Sequence, residues 1–328
     1  SCLRDQAREQ LGRGCPLRVA VVLQDAQRAA LDSGSAGPVD ASIGASTINM
    51  GVTLQPLLIA IPLRGGLALG YRHACGVATD GRAFCWGDNA AGQLGDGTTT
   101  RRLTPAAVVG GIAFASLVAG EDHTCGLATD GRAYCWGSNA EGQLGDGTTT
   151  SRLAPTPVAG GHTFLALVGG AIRSTCGLTA RGQAFCWGRN TFGQIGDGTT
   201  TQRLTPTAVS GGLAFTSLTS GANHVCGLDR AGRAYCWGLN FAAQIGDSTT
   251  SPRSIPTAVG GALRFASLGR GQDFSCALAR GGQAYCWGAN SFGQFGDGTT
   301  TQRLTPTPVA SGLAFTALVG GQDHMCGI

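Results

Sequence analysis

Lysine is absent from this chain, and all 23 basic residues are arginines. A phosphate-binding P-loop needs its lysine and Schiff-base catalysis needs a lysine amine, so both chemistries are excluded. Charge of either sign is scarce: charged residues make up 13% of the 328 residues, and the net charge is +4. Because the arginines are spread along the chain, no nucleic-acid surface is expected. No apolar run reaches the roughly 18 residues that a membrane-spanning helix needs.

Aromatic residues are also few, at 6%, whereas glycine supplies 55 residues. This composition favours many short strands joined by tight turns. Many of the glycines belong to a unit of about fifty residues that recurs five times and begins a sixth time. Its clearest copy, at residues 125–150, reads Cys-Gly-Leu-Ala-Thr-Asp-Gly-Arg-Ala-Tyr-Cys-Trp-Gly-Ser-Asn-Ala-Glu-Gly-Gln-Leu-Gly-Asp-Gly-Thr-Thr-Thr. A fixed period of this length predicts stacked blades or coils.

Each unit is predicted to contain four strands, in the second copy at residues 114–118, 124–128, 132–136 and 153–158. The middle two form a hairpin around Gly131, because glycine readily takes the positive φ that such a turn needs. Pro155 suits an edge strand, where its missing N–H costs little. Four short strands in a repeat of about fifty residues are typical of a β-propeller blade. The predicted fold class is therefore an all-β propeller.

The repeated string Trp-Gly-x-Asn-x-x-Gly-Gln-Leu-Gly-Asp-Gly, followed by proline and then Gly-x-x-His-x-Cys, resembles the regulator-of-chromosome-condensation repeat. The resemblance covers residues 65–328 and implies a β-propeller of four-stranded blades, in that family usually seven. Five full units and part of a sixth are present. Because the sixth stops two residues after Cys326, we expect the chain to be a fragment of a longer protein.

Residues 1–64 do not follow the repeat and are predicted to form a separate N-terminal segment. Residues 3–11 and 17–31 are rich in Ala, Gln, Arg and Leu and are predicted as helices that Pro16 separates. Residues 43–63 are largely apolar and are interpreted as two short strands. Nothing in this segment indicates a family.

Ten of the 13 cysteines form pairs with nine residues between the partners, one pair in each full repeat. In a hairpin centred between them, the two cysteines lie directly opposite one another, near disulfide reach. We therefore predict five disulfides: Cys75–Cys85, Cys125–Cys135, Cys176–Cys186, Cys226–Cys236 and Cys276–Cys286. Cys2 and Cys15 are a further candidate pair. Disulfides persist in oxidising compartments, so we expect an extracellular, cell-surface or periplasmic protein. Reduced core cysteines in a cytosolic protein are the alternative.

A metal site is suggested by His123 and His224, which each lie two positions before a cysteine. Ser174 and Phe274 replace that histidine in two repeats that keep both cysteines. We therefore predict no metal and assign the position to packing or a local hydrogen bond. The Gly-Asp-Gly-Thr loops offer one carboxylate each, too few for calcium, and are predicted as turns in which Asp binds its own backbone. No cofactor is predicted.

The tryptophans occupy one position per repeat and are predicted to be core residues: Trp86, Trp136, Trp187, Trp237 and Trp287. No nucleophile lies in a pattern with a base and an acid. No catalytic residue is therefore predicted, and the chain is not expected to be an enzyme.

Positions that differ between copies suggest a binding surface, because the matching residues already account for the blade. They concentrate in two segments of each repeat, one directly after Trp-Gly and one directly before the hairpin. Aromatic and arginine side chains are common anchors of protein interfaces. The binding candidates chosen on this basis are Arg173, Arg189, Phe192, Phe241 and Phe292. Neutral drift of solvent-facing loops is the alternative.

These observations favour an exported, bacterial-type binding module with a protein partner, without nucleic-acid binding, a membrane span or catalysis of its own. Three alternatives remain. The family that the chain resembles includes β-lactamase inhibitory proteins, which permits an inhibitor of a secreted or periplasmic enzyme. The family's eukaryotic namesake implies a nucleotide-exchange regulator, although paired cysteines and weak charge disfavour that role. The third alternative is an accessory domain of a carbohydrate-active enzyme.

Overall fold

The computed structural model describes residues 66–169, 172–310 and 312–328. The predicted N-terminal helices and strands, and the candidate pair of Cys2 with Cys15, lie outside these residues. Within the described ranges the chain is all-β and contains no helix, and therefore no helix long and apolar enough to cross a membrane.

Short strands follow one another along the described residues. They are β1 (Ala68–Leu69), β2 (His73–Val77), β3 (Ala83–Gly87), β4 (Arg102–Ala107), β5 (Phe114–Ala119), β6 (His123–Ala128), β7 (Ala133–Gly137), β8 (Arg152–Pro157), β9 (Ala166–Gly169), β10 (Ser174–Leu178), β11 (Ala184–Gly188), β12 (Arg203–Ala208), β13 (Phe215–Ser220), β14 (His224–Asp229), β15 (Ala234–Gly238), β16 (Arg253–Ala258), β17 (Phe265–Arg270), β18 (Phe274–Ala279), β19 (Ala284–Gly288), β20 (Arg303–Pro308), β21 (Leu318–Gly320) and β22 (Met325–Gly327). In the second repeat, no predicted strand end differs from β5–β8 by more than one residue.

Each set of four consecutive strands forms one antiparallel sheet, which we call a blade, in sequence order from β1–β4 to β17–β20. β21 pairs with β22 and begins a sixth blade. The first strands of successive blades pack side by side, from β1 against β5 to β17 against β21, and so lie towards the axis. The fourth strand pairs only with the third and forms the outer edge. The described chain is therefore a β-propeller of five blades and part of a sixth, as predicted.

Two details of the second blade agree with the sequence prediction. Gly131 in the hairpin turn has φ +82°, a left-handed conformation that favours glycine. Pro155 lies in β8, the outer strand, where a missing N–H leaves no partner strand unbonded. The repeat thus places its least strand-compatible residue at the edge.

The hydrophobic core lies between neighbouring blades. Trp187 is fully buried, and its Nε1 donates to the main-chain carbonyl of Gln143 in the preceding blade at 3.0 Å. Gly145, with φ +70°, lies against the indole, and a Cβ there would be 2.7 Å from Trp187 Nε1. The predicted core role is confirmed for the four later tryptophans, which are 0% exposed. Trp86 is only half-buried, because the described residues contain no earlier blade for it to pack against.

The Gly-Asp-Gly-Thr loops are closed turns, as predicted. Asp146 Oδ1 accepts from the main-chain N–H of Thr148 at 2.9 Å, and Asp146 Oδ2 accepts from Arg152 Nε at 2.8 Å. The Nδ2 of Asn139 donates across the same loop to the main-chain carbonyl of Thr150 at 3.0 Å. Burial opposes ionisation of the Asp146 carboxyl, but the hydrogen bonds from Thr148 and Arg152 outweigh it and hold the pKa below its usual value. The carboxylate is thus ionised and already bonded within the chain.

Candidate binding face

Two connections of each blade lie on one face of the propeller. Because the strands alternate in direction, the connection from first to second strand and that from third to fourth leave the sheet at the same end. In the second blade these connections are residues 120–122 and 138–151. A main-chain hydrogen bond joins them, from Ser138 N to Asp122 O at 2.8 Å. The two segments that vary most between repeats therefore lie side by side, on what we call the loop face.

The loop face is continuous from blade to blade. Main-chain hydrogen bonds link the first connections of successive blades, from Ala222 N to Gln272 O and from Gln272 N to Gln322 O, each at 3.0 Å. The second connection also binds the outer strand of the next blade, as Gly147 N does to Leu204 O at 2.9 Å. The main chain therefore fixes the shape of this face, while the side chains differ between blades.

Three of the five binding candidates lie together at the third and fourth blades. The rings of Phe192 and Phe241 meet edge to face, with their centroids 5.9 Å apart. The Arg189 guanidinium lies 5.9 Å from the centre of the Phe192 ring, and Arg189 Nε donates to Thr191 Oγ1 at 3.2 Å. Phe241 is 65% exposed, whereas Phe192 and Arg189 are half-buried. We call Arg189, Phe192 and Phe241 the aromatic ledge.

The other two binding candidates have different surroundings. Phe292 lies in the corresponding loop of the fifth blade and is 76% exposed. Arg173 is half-buried, and its Nε donates to Glu121 Oε2 of the preceding blade at 3.2 Å. Phe292 is thus open to a partner, whereas Arg173 already has an intramolecular one.

An open groove of about 430 Å³ crosses the loop face between the first and second blades. Its walls include Tyr71, Arg72, Asp88, Glu121 and Asp122. Burial raises the pKa of the Asp122 carboxyl, and the negative charges of Glu121 and Asp88 raise it further. This part of the loop face is therefore acidic, whereas the aromatic ledge carries an arginine.

Buried histidines join neighbouring blades at this end of the molecule. His123 Nε2 lies 3.0 Å from Thr175 Oγ1 of the next blade, and that hydroxyl donates to Gln143 O at 3.0 Å. Because the hydroxyl proton is used in this second bond, His123 Nε2 is the donor and its Nδ1 carries no proton. Burial lowers the pKa of His123 to about 3. Equivalent pairs are His73 with Thr124 and His224 with Ser275, each at 2.9 Å.

The same contact explains why the histidine is missing from two repeats. Where Ser174 and Phe274 replace it, the position of the hydroxyl in the next blade carries Val225 and Met325. Val225 and Met325 belong to hydrophobic clusters of their blades. Histidine therefore occurs where the next blade supplies a hydroxyl, and not where it supplies an apolar side chain.

All five predicted disulfides are present. In the second blade, Cys125 and Cys135 are directly opposed between β6 and β7, with Cα atoms 4.1 Å apart. The paired cysteines are buried in every blade. Within the described part of the chain, no three His, Cys, Asp or Glu side chains are grouped as metal ligands.

Family models recognise the blades that the structure shows. One model of the regulator of chromosome condensation (RCC1) repeat matches residues 80–127, 130–177 and 181–228. A second model with the same description matches residues 66–93, 114–143, 215–244 and 268–294. The chain belongs to the RCC1 repeat family. The family predicted from the repeated string is therefore confirmed.

Solved structures share the fold of this chain. Human WBSCR16 superposes with a TM-score of 0.71 at 21% identity, over 80% of this chain and 71% of that one. Yeast RCC1 (Prp20), in its complex with Kap60, gives 0.69 at 21% identity, over 80% and 67%. The ectodomain of the receptor kinase CR4 from Physcomitrella patens gives 0.53 at 27% identity, over 82% of this chain and 59% of that one.

Inspection of single RCC1 repeats missed the histidine–hydroxyl pairs. The partners are 51 or 52 residues apart, so they never fall within one repeat. The sequence does contain a pattern that indicates these pairs: the residue at each histidine position correlates with the residue before the first cysteine of the next repeat. The structure supplies the contact that gives this correlation a cause.

Proposed function

We propose that this RCC1 propeller is an exported protein-binding module that captures its partner on the loop face. The observation that carries the proposal is the exposure of large apolar side chains on the segments that differ between blades. Phe241 is 65% exposed and Phe292 is 76% exposed. In the first two blades, the position of Phe292 carries Ala91 and Glu141, so the blade itself does not require phenylalanine there. Exposed aromatic groups framed by polar residues are typical of interaction sites.

The shape of the loop face supports a macromolecular partner. The groove beside Asp122 is open, and Phe241 of the aromatic ledge is 65% exposed. Small-molecule sites are usually concave and enclose most of the ligand, whereas protein interfaces are broad and use aromatic and arginine anchors. The ledge and Phe292 therefore fit a protein surface.

The surroundings of the buried histidines support binding without catalysis. A general base must reach its substrate and take up a proton near the working pH. His73 and His224 are buried, and desolvation lowers the pKa of each to about 4. Their Nε2 atoms are bonded to hydroxyls that already donate to main-chain carbonyls. Both histidines thus act as structural groups.

Five buried disulfides support export. Ten cysteines form these bonds, two in each of the five blades, and the two partners lie directly opposite one another in one hairpin. Such bonds persist in oxidising compartments and are rare in reducing ones. The CR4 structure, which is 27% identical to this chain and superposes on it, is the ectodomain of a receptor kinase, and this similarity also supports export.

The test is the affinity of a captured partner. The immobilised chain would be incubated with secreted or periplasmic proteins of the organism that encodes it, and the retained protein purified for calorimetry. Combining Phe192→Ala, Phe241→Ala and Phe292→Ala should weaken binding at least about 30-fold, because interface hot spots contribute about 2 kcal/mol or more. The thermal midpoint should change little.

A matched control places the same number of substitutions on the opposite face. Arg181→Ala, Arg230→Ala and Arg280→Ala change exposed residues in the hairpin turns of the third, fourth and fifth blades. This variant should bind within about twofold of the unmodified chain. A partner whose affinity falls with the hairpin variant but not with the phenylalanine variant would overturn the proposed binding face.

A further inference from the structure

In each of the first four blades, a buried glutamine supports the loop that follows the third strand. Gln194 is 0% exposed, and its Oε1 accepts from the main-chain N–H of Phe192 at 2.9 Å. Gln93 and Gln244 make the same bond to residues two positions earlier, each at 2.9 Å. Because the oxygen is used in this way, the orientation of the amide is fixed and its Nε2 must find an acceptor elsewhere.

In the first, second and fourth blades the chain itself supplies that acceptor. Gln93 Nε2 donates to the carboxylate of Asp88 at 3.1 Å, and Gln244 Nε2 donates to the carboxylate of Asp273 at 3.5 Å. Asp88 follows Trp-Gly in the same blade, and Asp273 lies in the first connection of the next blade. In the second blade the acceptor is a hydroxyl, that of Ser138 at 3.3 Å. In these blades the glutamine Nε2 therefore donates to an oxygen from one of two positions. One is the residue after Trp-Gly, and the other is the residue before the second strand of the next blade.

The third blade has lost both carboxylates. Arg189 occupies the position of Asp88, and Asn223 occupies the position of Asp273. Gln194 Nε2 is buried with no hydrogen-bond partner, and Asn223 Oδ1 is likewise unbonded. Among the described residues, the Arg189 guanidinium forms no ion pair with a carboxylate. A buried donor without an acceptor is destabilising, so this arrangement is unfavourable in the chain without its partner.

We infer that the seam between the third and fourth blades binds a carboxylate of the protein partner, from an Asp or Glu side chain that adjoins an apolar residue. This inference rests on the proposed function. The carboxylate would accept from Gln194 Nε2, as Asp88 accepts from Gln93, and from the Arg189 guanidinium, in charge-assisted hydrogen bonds. The apolar neighbour would pack on the exposed ring of Phe241. Charge complementarity identifies the partner as acidic at this point.

Two short peptides that differ only in charge test the inference. The probes are acetyl-Glu-Phe-amide and acetyl-Gln-Phe-amide, titrated into the isotope-labelled chain while the side-chain amide signals of Gln194 are followed by NMR. The Glu peptide should shift the Gln194 signals saturably and bind at least about tenfold more tightly than the Gln peptide, the ratio expected for a charge-assisted bond. Arg189→Gln should remove this preference.

The chain offers a matched pair of variants. Asn223→Asp recreates the carboxylate that Asp273 supplies in the next seam, so it should satisfy Gln194 internally and repel the Glu peptide. We expect at least about a tenfold loss of affinity with an unchanged or higher thermal midpoint, as expected when a buried donor gains a partner. Asp273→Asn makes the reverse change in a different seam and should leave peptide affinity unchanged.

The remaining outcomes separate this inference from the proposed function. Equal binding of both peptides, with shifts at Phe192 and Phe241 but none at Gln194, overturns the carboxylate site and leaves the binding face intact. If neither peptide shifts the Gln194 signals but Asn223→Ala does, Gln194 is bonded within the seam. That result also overturns the carboxylate site. Failure of the proposed function is measured separately, by the partner affinity of the triple phenylalanine variant.

Discussion

At the scale of single residues, each seam between blades depends on a few side chains with fixed donor and acceptor roles. The main-chain carbonyl of Gln93 accepts from Thr124 Oγ1 at 2.8 Å and from Trp136 Nε1 at 3.0 Å, which uses both of its lone pairs. His73 Nε2 then donates to the oxygen of Thr124 at 2.9 Å. Removing one member of such a buried chain leaves another without a partner.

Replacing the hydroxyl alone should therefore lower the free energy of unfolding more than replacing the hydroxyl and its histidine together. Thr175→Val leaves His123 Nε2–H buried without an acceptor, and we expect the free energy of unfolding to fall by about 1–3 kcal/mol. Combining it with His123→Phe makes both positions apolar, as Phe274 and Met325 are, and should recover part of that loss. Gly120 leaves room for the ring, as Gly271 does for Phe274. Urea unfolding of both variants measures this, and fully additive losses would contradict it.

The buried histidines should also make stability depend on pH. Burial lowers the folded-state pKa of His73 and His224 to about 4 and that of His123 to about 3, against an ordinary value of 6.5. As the pH falls from 6.5 towards 4, the unfolded chain binds protons that the folded chain does not. Stability should therefore decrease over this range, by up to about 1.4 kcal/mol per pH unit for each histidine.

Carboxyl groups act mainly in other ranges of pH. Asp146 has a lowered pKa, so its contribution is lost only as the pH falls below its ordinary value of 3.8. Burial raises the pKa of Asp122 and Asp273, which opposes the histidine effect at the acid end of its range. Unfolding curves between about pH 7.5 and 5 should show a smaller slope for the His123→Phe, Thr175→Val variant than for the unmodified chain. Equal slopes would show that His123 is not held neutral.

At the scale of the blade, the disulfide closes the hairpin that carries the core. Cys125 and Cys135 are 0% exposed, and Cys135 directly precedes the core residue Trp136 in its strand. Peptide mapping of unreduced, exported protein should find each cysteine bonded within its own hairpin. Replacing both with serine in the second blade should lower the free energy of unfolding by at least about 2–3 kcal/mol, the chain-entropy value for so short a loop. Free thiols at these positions in native protein would contradict the disulfides and the proposed export.

The sequence predicts the blades well because the features that define a blade lie close together in the sequence. Strand alternation, the glycine of the turn and the opposed cysteines all fall within about fifty residues, and β5–β8 match the predicted strands to within one residue. Contacts between repeats are harder to foresee, because they depend on how blades stack. Phe192 and Phe241 lie in different repeats, and their ring contact appears only in the structure. The bonding of Gln194 also depends on residues from two blades.

At the scale of the whole molecule, the residues that stabilise the propeller differ from those that form the candidate binding face. Hydrogen bonds that recur in successive blades, made by Trp, Gln, Asn and Asp side chains and largely to the main chain, hold the loops in one arrangement. Substitutions on the loop face can therefore change the surface without changing the blade. The acidic groove beside Asp122 and the aromatic ledge then give different parts of one continuous face different chemistry. A partner that spans several blades would be recognised by this pattern.

Hydrogen–deuterium exchange of the chain with and without its captured partner tests the binding face most directly. The account predicts that the partner slows exchange at residues 189–193, 239–243 and 289–293, which include the ledge and Phe292. Exchange in the hairpin turns at residues 179–183 and 229–233, at the other end of the same blades, should not change. Protection confined to the hairpin turns or the outer strands would contradict the account.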